Sequence, residues 1–216
     1  MFLFLFLSSC SAKEKTVGGL EERITTFLET VFGDQKILNM SNATDDEISR
    51  FAFHVGMYKG TVHERPVGLW EGLTKQQIEE NIRDVFGKDF NLDKLDYENI
   101  MVERINEDGT YVPAVYGAPT YGFKYVIHEV TNLTDNKYEA VISYIDINAD
   151  IVTFDAQGNR LPPDNASQNM TIAGRENEIV TIKKKILASP EKYERVKLSL
   201  FITDDHISLI GAENIK

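Results

Sequence analysis

The sequence predicts an α+β domain, with three N-terminal helices packed on one face of a mostly antiparallel meander sheet. Three observations predict it. Apolar residues recur at helical spacing between Leu20 and Phe86. From residue 98 onward the pattern changes to short apolar runs broken by turn residues such as Asp108-Gly109 and Asp135-Asn136. Helices first and strands afterwards keep the two kinds of element apart, unlike the strict alternation of a parallel α/β protein. The chain has 216 residues, 42% apolar and 26% charged, enough for one domain with its own core and too apolar for disorder.

The first helix is read from Leu20, Ile24, Phe27, Leu28, Val31 and Phe32, which fall on one face, with Gly33 as its stop. The second starts at Thr44, where Thr44-x-x-Glu47 makes a capping box, and Ile48, Phe51, Ala52 and Val55 form its apolar stripe. The third starts with the box Thr74-x-x-Gln77 and a hydrophobic staple between Leu73 and Ile78. Ile78, Ile82, Val85 and Phe86 line its face, and Gly87 ends it. Residues 63–70, with the single tryptophan Trp70, read as an irregular loop.

The strands follow. Met101–Ile105 and Tyr111–Val115 flank Asp108-Gly109, and Lys124–Leu133 and Lys137–Ile147 flank Asp135-Asn136; both read as hairpins. Val196–Thr203 alternates cleanly, and Asp204-Asp205 turns it into His206–Ile210. Hairpins join antiparallel neighbours. Glu176–Leu187 is ambiguous. Ile179, Ile182 and Ile186 have helical spacing, but the β-branched run Ile179-Val180-Thr181-Ile182 favours a strand, and a strand is expected here.

The chain opens with an apolar run, Phe2 to Leu7, followed by Ser8-Ser9-Cys10, and Cys10 is its one cysteine. Six apolar residues are far short of the roughly 20 that span a membrane. The run and the box Leu7-Ser8-Ser9-Cys10 resemble the signal peptide of a bacterial lipoprotein. In that family the peptide is cut before the cysteine, whose sulfur then carries a diacylglyceryl anchor. The resemblance implies residues 1–9 as signal peptide, 10–19 as lipidated Cys10 with a short polar tether, and 20–216 as a single domain facing outside the cytoplasm. A lone thiol leaves no disulfide within the chain and no zinc site built on several cysteines.

The element order also resembles, loosely, the cystatin-like and nuclear-transport-factor-like domains of uncharacterised envelope lipoproteins. The segments Tyr121-Gly122-Phe123-Lys124-Tyr125 and Tyr193-Glu194-Arg195-Val196-Lys197-Leu198 look like strand openings in such proteins. The resemblance implies a curved sheet wrapping the helices. That scaffold carries enzymes and binding domains alike, so it assigns no reaction.

Chemistry-bearing patterns are sparse. Net charge is −11, which disfavours nucleic acid and anionic lipid as partners, and the basic run Lys183-Lys184-Lys185 reads as a solvated face. No His-Glu-x-x-His, phosphate-cradling loop or Gly-x-Ser-x-Gly elbow occurs, so no cofactor, metal ligand set or catalytic residue is assigned. Asp146-Ile147-Asn148-Ala149-Asp150 mimics the opening of a calcium loop, but Ile151 stands where that loop needs glycine, and Gln157 where it needs glutamate. His54, His63, His128 and His206 read as surface or structural residues. Two candidate sites remain. Tyr111, Tyr116, Tyr121 and Tyr125 crowd around Gly117, Pro119 and Gly122 and suggest a recognition loop. Tyr144, Asp146 and His128 would line a pocket if one lay between helices and sheet. The expected function is an envelope lipoprotein that binds a protein or a peptidoglycan fragment without catalysis. The alternative is a small-ligand protein or enzyme using that pocket. A filled interior favours the first, and a deep cavity holding Asp146 the second.

Overall fold

The computed structural model describes residues 8–33, 35–58, 72–90, 92, 95, 102–113, 122–147, 152–161 and 172–215. The expected loop 63–70 and the apolar run before Ser8 lie outside them.

Helix α1 (Ser8–Phe32) buries Ile24, Leu28, Val31 and Phe32. Its backbone is helical from Ser8, so the stretch 11–19, expected as a short polar tether, is part of α1. The helix ends where Phe32 gives its carbonyl to the buried Tyr125 hydroxyl, which donates at 2.7 Å. Helix α2 (Asp45–Tyr58) has the expected capping box: the Glu47 amide donates to Thr44 Oγ1, and the Thr44 amide to Glu47 Oε2 at 2.7 Å. The Thr44 amide, and secondly the Thr44 hydroxyl, donate to the exposed Glu47 carboxyl and hold it below its ordinary pKa. Helix α3 (Lys75–Phe86) has its box from Thr74 and Gln77 and ends on Gly87 at φ 65°, whose amide donates to Arg83 O. Helices α2 and α3 approach closely at Gly56, where a Cβ would lie 2.7 Å from the Ile82 side chain and 2.9 Å from the Ile78 carbonyl oxygen.

Strands β1 (Val102–Ile105) and β2 (Tyr111–Pro113) form a separate two-stranded sheet, tied to the chain before α3 by paired backbone bonds between Leu73 and Tyr111. The main sheet holds β3 (Phe123–Thr134), β4 (Lys137–Asp146), β5 (Val152–Phe154), β6 (Arg160–Leu161), β7 (Arg195–Ile202) and β8 (Ile207–Ile215). Four long antiparallel strands run in the order β3-β4-β7-β8, and the β5–β6 hairpin joins the far end of β4. Asp135 and Asn136 both take positive φ, 43° and 68°, the two-residue turn that matches strand twist.

The largest correction lies in residues 172–188. The strand expected at 176–187 is a helix, α4 (Ile172–Ala188), and it packs on the sheet face opposite α1, α2 and α3. Ile182 and Ile186, one turn apart, bury against Val126, Ile145 and Ile147, with Ile179 and Tyr193 alongside. Strand preference spans only about 1 kcal/mol across residue types and yields to such burial. The mid-helix Thr181 hydroxyl donates to the Asn177 carbonyl at 2.9 Å, one turn back. The sheet is therefore covered on both faces where β3 and β4 meet α4. Ala140, Ile142 and Tyr144 point into the main core, and Ser143 and Ile145 the other way. Beyond α4 the outer face is polar: Lys197 bridges Glu139 and Glu213 across three strands, and the Glu213 bond raises its pKa.

Among the described residues the main core is built around packed aromatic rings. Phe32 stacks on Phe51 (ring centroids 5.9 Å apart, 6° between planes) and meets Phe27 and Phe86 edge-on. Tyr125 and Tyr144 pack edge-on at 5.6 Å beneath these rings and are almost fully buried.

Candidate functional site

Of the residues proposed to share a pocket, Tyr144 and His128 lie on opposite faces of the sheet. Tyr144 lies in the main core, and burial, with the nearby Glu194 carboxylate second, pushes its phenol far up in pKa. His128 lies on the other face. The β3–β4 register shifts between Ile127 and Glu129, so His128 is the extra residue of a bulge. His128 shares the side of Val126, which pairs with Ser143, and its ring meets that serine with Nε2 2.9 Å from Oγ. Ser143 Oγ in turn donates to the Glu194 carbonyl at 2.8 Å. That fixes the proton positions: the Ser143 proton is committed to a carbonyl, so His128 donates through Nε2–H. Asp146 ends β4 opposite Phe123, half-buried at the sheet's end. Asn148 and Asp150, the rest of the calcium-like pattern, lie outside the described residues. Among the described residues no group of three His, Cys, Asp or Glu could hold a metal ion.

Burial, and secondly the Arg195 charge, holds His128 below its ordinary value of 6.5. The sign follows from linkage. Between the folded and the ordinary value the unfolded chain binds more protons, so stability rises with pH there. The contribution is complete above pH 6.5 and is lost as pH falls toward the folded value. His128→Gln keeps a donor for Ser143 and does not titrate. Urea midpoints at pH 7.5 and 5.5 should therefore fall further on acidification in the wild type than in the variant; equal falls would contradict the assignment.

Of the four tyrosines, the two described are packed against the main core. Tyr125 is a core residue, and Tyr111 packs edge-on against Phe53 at 5.8 Å. Tyr116 and Tyr121 lie outside the described residues. At the loop after α1, Lys36 pairs with Glu194 and sits over the Phe154 ring, its Nζ 3.4 Å from the centroid. The chain's own ammonium thus fills this aromatic corner and ties β5 to the α1–α2 loop.

Accessible chemistry gathers elsewhere. An open groove of about 500 Å³ runs between α1, α3 and the β7–β8 turn. Phe27, Val85 and Ile207 contribute apolar surface, and Thr26 and Thr30 of α1 line it with exposed hydroxyls. Glu22, Asp84 and Asp205 supply three carboxylates. Of the cations, Arg23 donates to the Thr203 carbonyl at 2.6 Å, pinning the turn to α1. His206 lies with Nδ1 3.5 Å from Asp84 Oδ1 and Nε2 2.8 Å from Ser208 Oγ. This Asp84–His206–Ser208 chain has the connectivity of a nucleophilic triad. Its serine, however, is only 3% exposed and lies under Gly87, 3.5 Å from where a Cβ would be. Ser208 also donates to the Asp84 carbonyl at a long 3.4 Å. The arrangement fastens the end of α3 to β8 and closes one wall of the groove.

No protein-family model, curated protein or solved structure matches the chain.

Sequence reasoning missed this groove. It treated His206 as a residue beside a turn, although His206-x-Ser208 at the start of a strand places both on one side. Asp84 lies 122 positions away, and only the docking of α3 on β8 brings it there.

Proposed function

We propose that this protein is a lipid-anchored component of the cell envelope whose domain binds another envelope component through the groove between α1, α3 and the β7–β8 turn, without catalysis. The groove carries this reading: among the described residues Tyr144, Tyr125 and the phenylalanine cluster pack into the core between helices and sheet, while the groove gathers three carboxylates and apolar surface where a partner can reach them. The box Leu7-Ser8-Ser9-Cys10 supports the anchor, and no helix among the described residues is long and apolar enough to cross a membrane. The inaccessible Ser208 argues against an acyl-transfer reading of its neighbours, because a nucleophile must meet its substrate. The groove's three carboxylates, with Arg23 committed to a backbone carbonyl, favour a partner that presents positive charge or N–H donors beside an apolar group.

The test is photo-crosslinking in cells that make the full chain. Benzoylphenylalanine in place of Thr26, inside the groove, should give a discrete adduct; in place of the exposed Glu129, midway along β3, it should not. Adducts of equal yield from both positions, or none from Thr26, would count against the groove.

A further inference from the structure

We infer that the exposed face of α4 is a docking surface for an anionic lipid membrane. Val180 and Leu187 are 50% and 54% exposed, among the most exposed large apolar residues described. They lie seven positions apart, two turns along one stripe of the helix, and Lys183 and Lys184 stand between them on the same side. Ile182 and Ile186, which bury against the sheet, lie roughly a third of a turn or more around α4 from Val180 and Leu187, and the exposure of those two places their stripe in solvent.

The charge pattern selects the occupant. The chain as a whole carries −11, yet the C-terminal part of α4 and the segment after it, residues 179–192, hold four lysines against one glutamate, while the exposed Glu176, one turn before Val180 on the same stripe, confines the positive charge to that end of the helix. Overall repulsion from an anionic surface is thereby turned into attraction at one end of one helix. Two apolar side chains flanked by lysines on an interfacial helix are the pattern that lies in a headgroup layer, with the lysine stems reaching outward. The lysines at this end of α4 also complement its helix dipole. That accounts for their sign at the C-terminus but not for the two apolar residues left in solvent beside them. Two apolar side chains and a lysine cluster bind weakly, so the contact becomes significant when the chain is already held at a bilayer, where local concentration is high.

The inference rests on the reading that places the chain at a membrane, and its test is separable from that reading. The probe is vesicles of phosphatidylcholine with one-third phosphatidylglycerol, compared with pure phosphatidylcholine. The full chain carries Cys10→Ser in every sample, so no lipid anchor contributes and the N-terminal apolar run is common to all. The unmodified face should favour the anionic vesicles, and the preference should vanish in high salt. Lys183→Gln with Lys184→Gln should lower partitioning to anionic vesicles about ten-fold or more, since each lysine near such a surface is worth roughly five-fold. Val180→Ser with Leu187→Ser should lower binding to both vesicle types. Helical circular dichroism and the melting midpoint verify that each variant is folded. Equal partitioning of the parent and the lysine variant into anionic vesicles would overturn the inference, as would a preference that survives high salt. Either result would leave fatty-acid labelling at Cys10 untouched.

Discussion

Phe32→Ala is expected to destabilise the domain by about 3–5 kcal/mol, the range for removing a fully buried phenylalanine. Phe32 is completely buried at the last position of α1, where helix, loop and sheet converge. Its ring stacks on Phe51 of α2 and meets Phe86 of α3 and Phe27 of α1 edge-on, so one truncation opens a void touching all three helices. Its carbonyl receives the Tyr125 hydroxyl, and the next carbonyl, that of Gly33, receives the Phe123 amide. Loss of the ring therefore also loosens the hold of α1 on the start of β3. Urea unfolding followed by circular dichroism measures the effect. Phe90→Ala is the comparison: Phe90 meets Phe86 edge-on at 5.4 Å but is only half-buried, and it should cost far less. A loss below about 1 kcal/mol for Phe32→Ala would mean that the aromatic cluster is not the packed core described here.

What the sequence disclosed was local. The capping boxes at Thr44 and Thr74, the left-handed Gly87 and the turn Asp135-Asn136 need only neighbours within a few residues, and each stands where it was read. The alternation of Val196, Leu198, Leu200 and Ile202 likewise survives as the buried side of β7. Where a distant partner decides, reading along the chain failed. Residues 179–182 carry strand-forming side chains, yet α4 forms because Val126, Ile145 and Ile147 offer an apolar face to Ile182 and Ile186. Tyr125 looked like part of a contact loop; β3 begins at Phe123, and alternation from there turns Tyr125 inward. His128 was grouped with Tyr144 as a possible pocket residue, but alternation along β3 puts His128 on the side of Val126, which pairs with Ser143, while Tyr144 faces the main core with Tyr125. The groove depends on α3 meeting β8 and α1 meeting the turn after β7, two long-range dockings that no spacing rule encodes.

The proposed role stands or falls first on location. An envelope-binding domain with an acidic groove and a lysine-edged helix acts as described only when it is held beside a bilayer, and the chain's one cysteine is the group proposed to hold it there. Stable attachment takes more than a single acyl chain, and a diacylglyceryl cysteine supplies two. The most direct measurement is growth of cells making the full chain with a labelled fatty acid, followed by isolation of the protein. The account predicts label on the wild type and complete loss of it in Cys10→Ala, with the variant also released from the membrane fraction. Label on both proteins, or on neither, would contradict it.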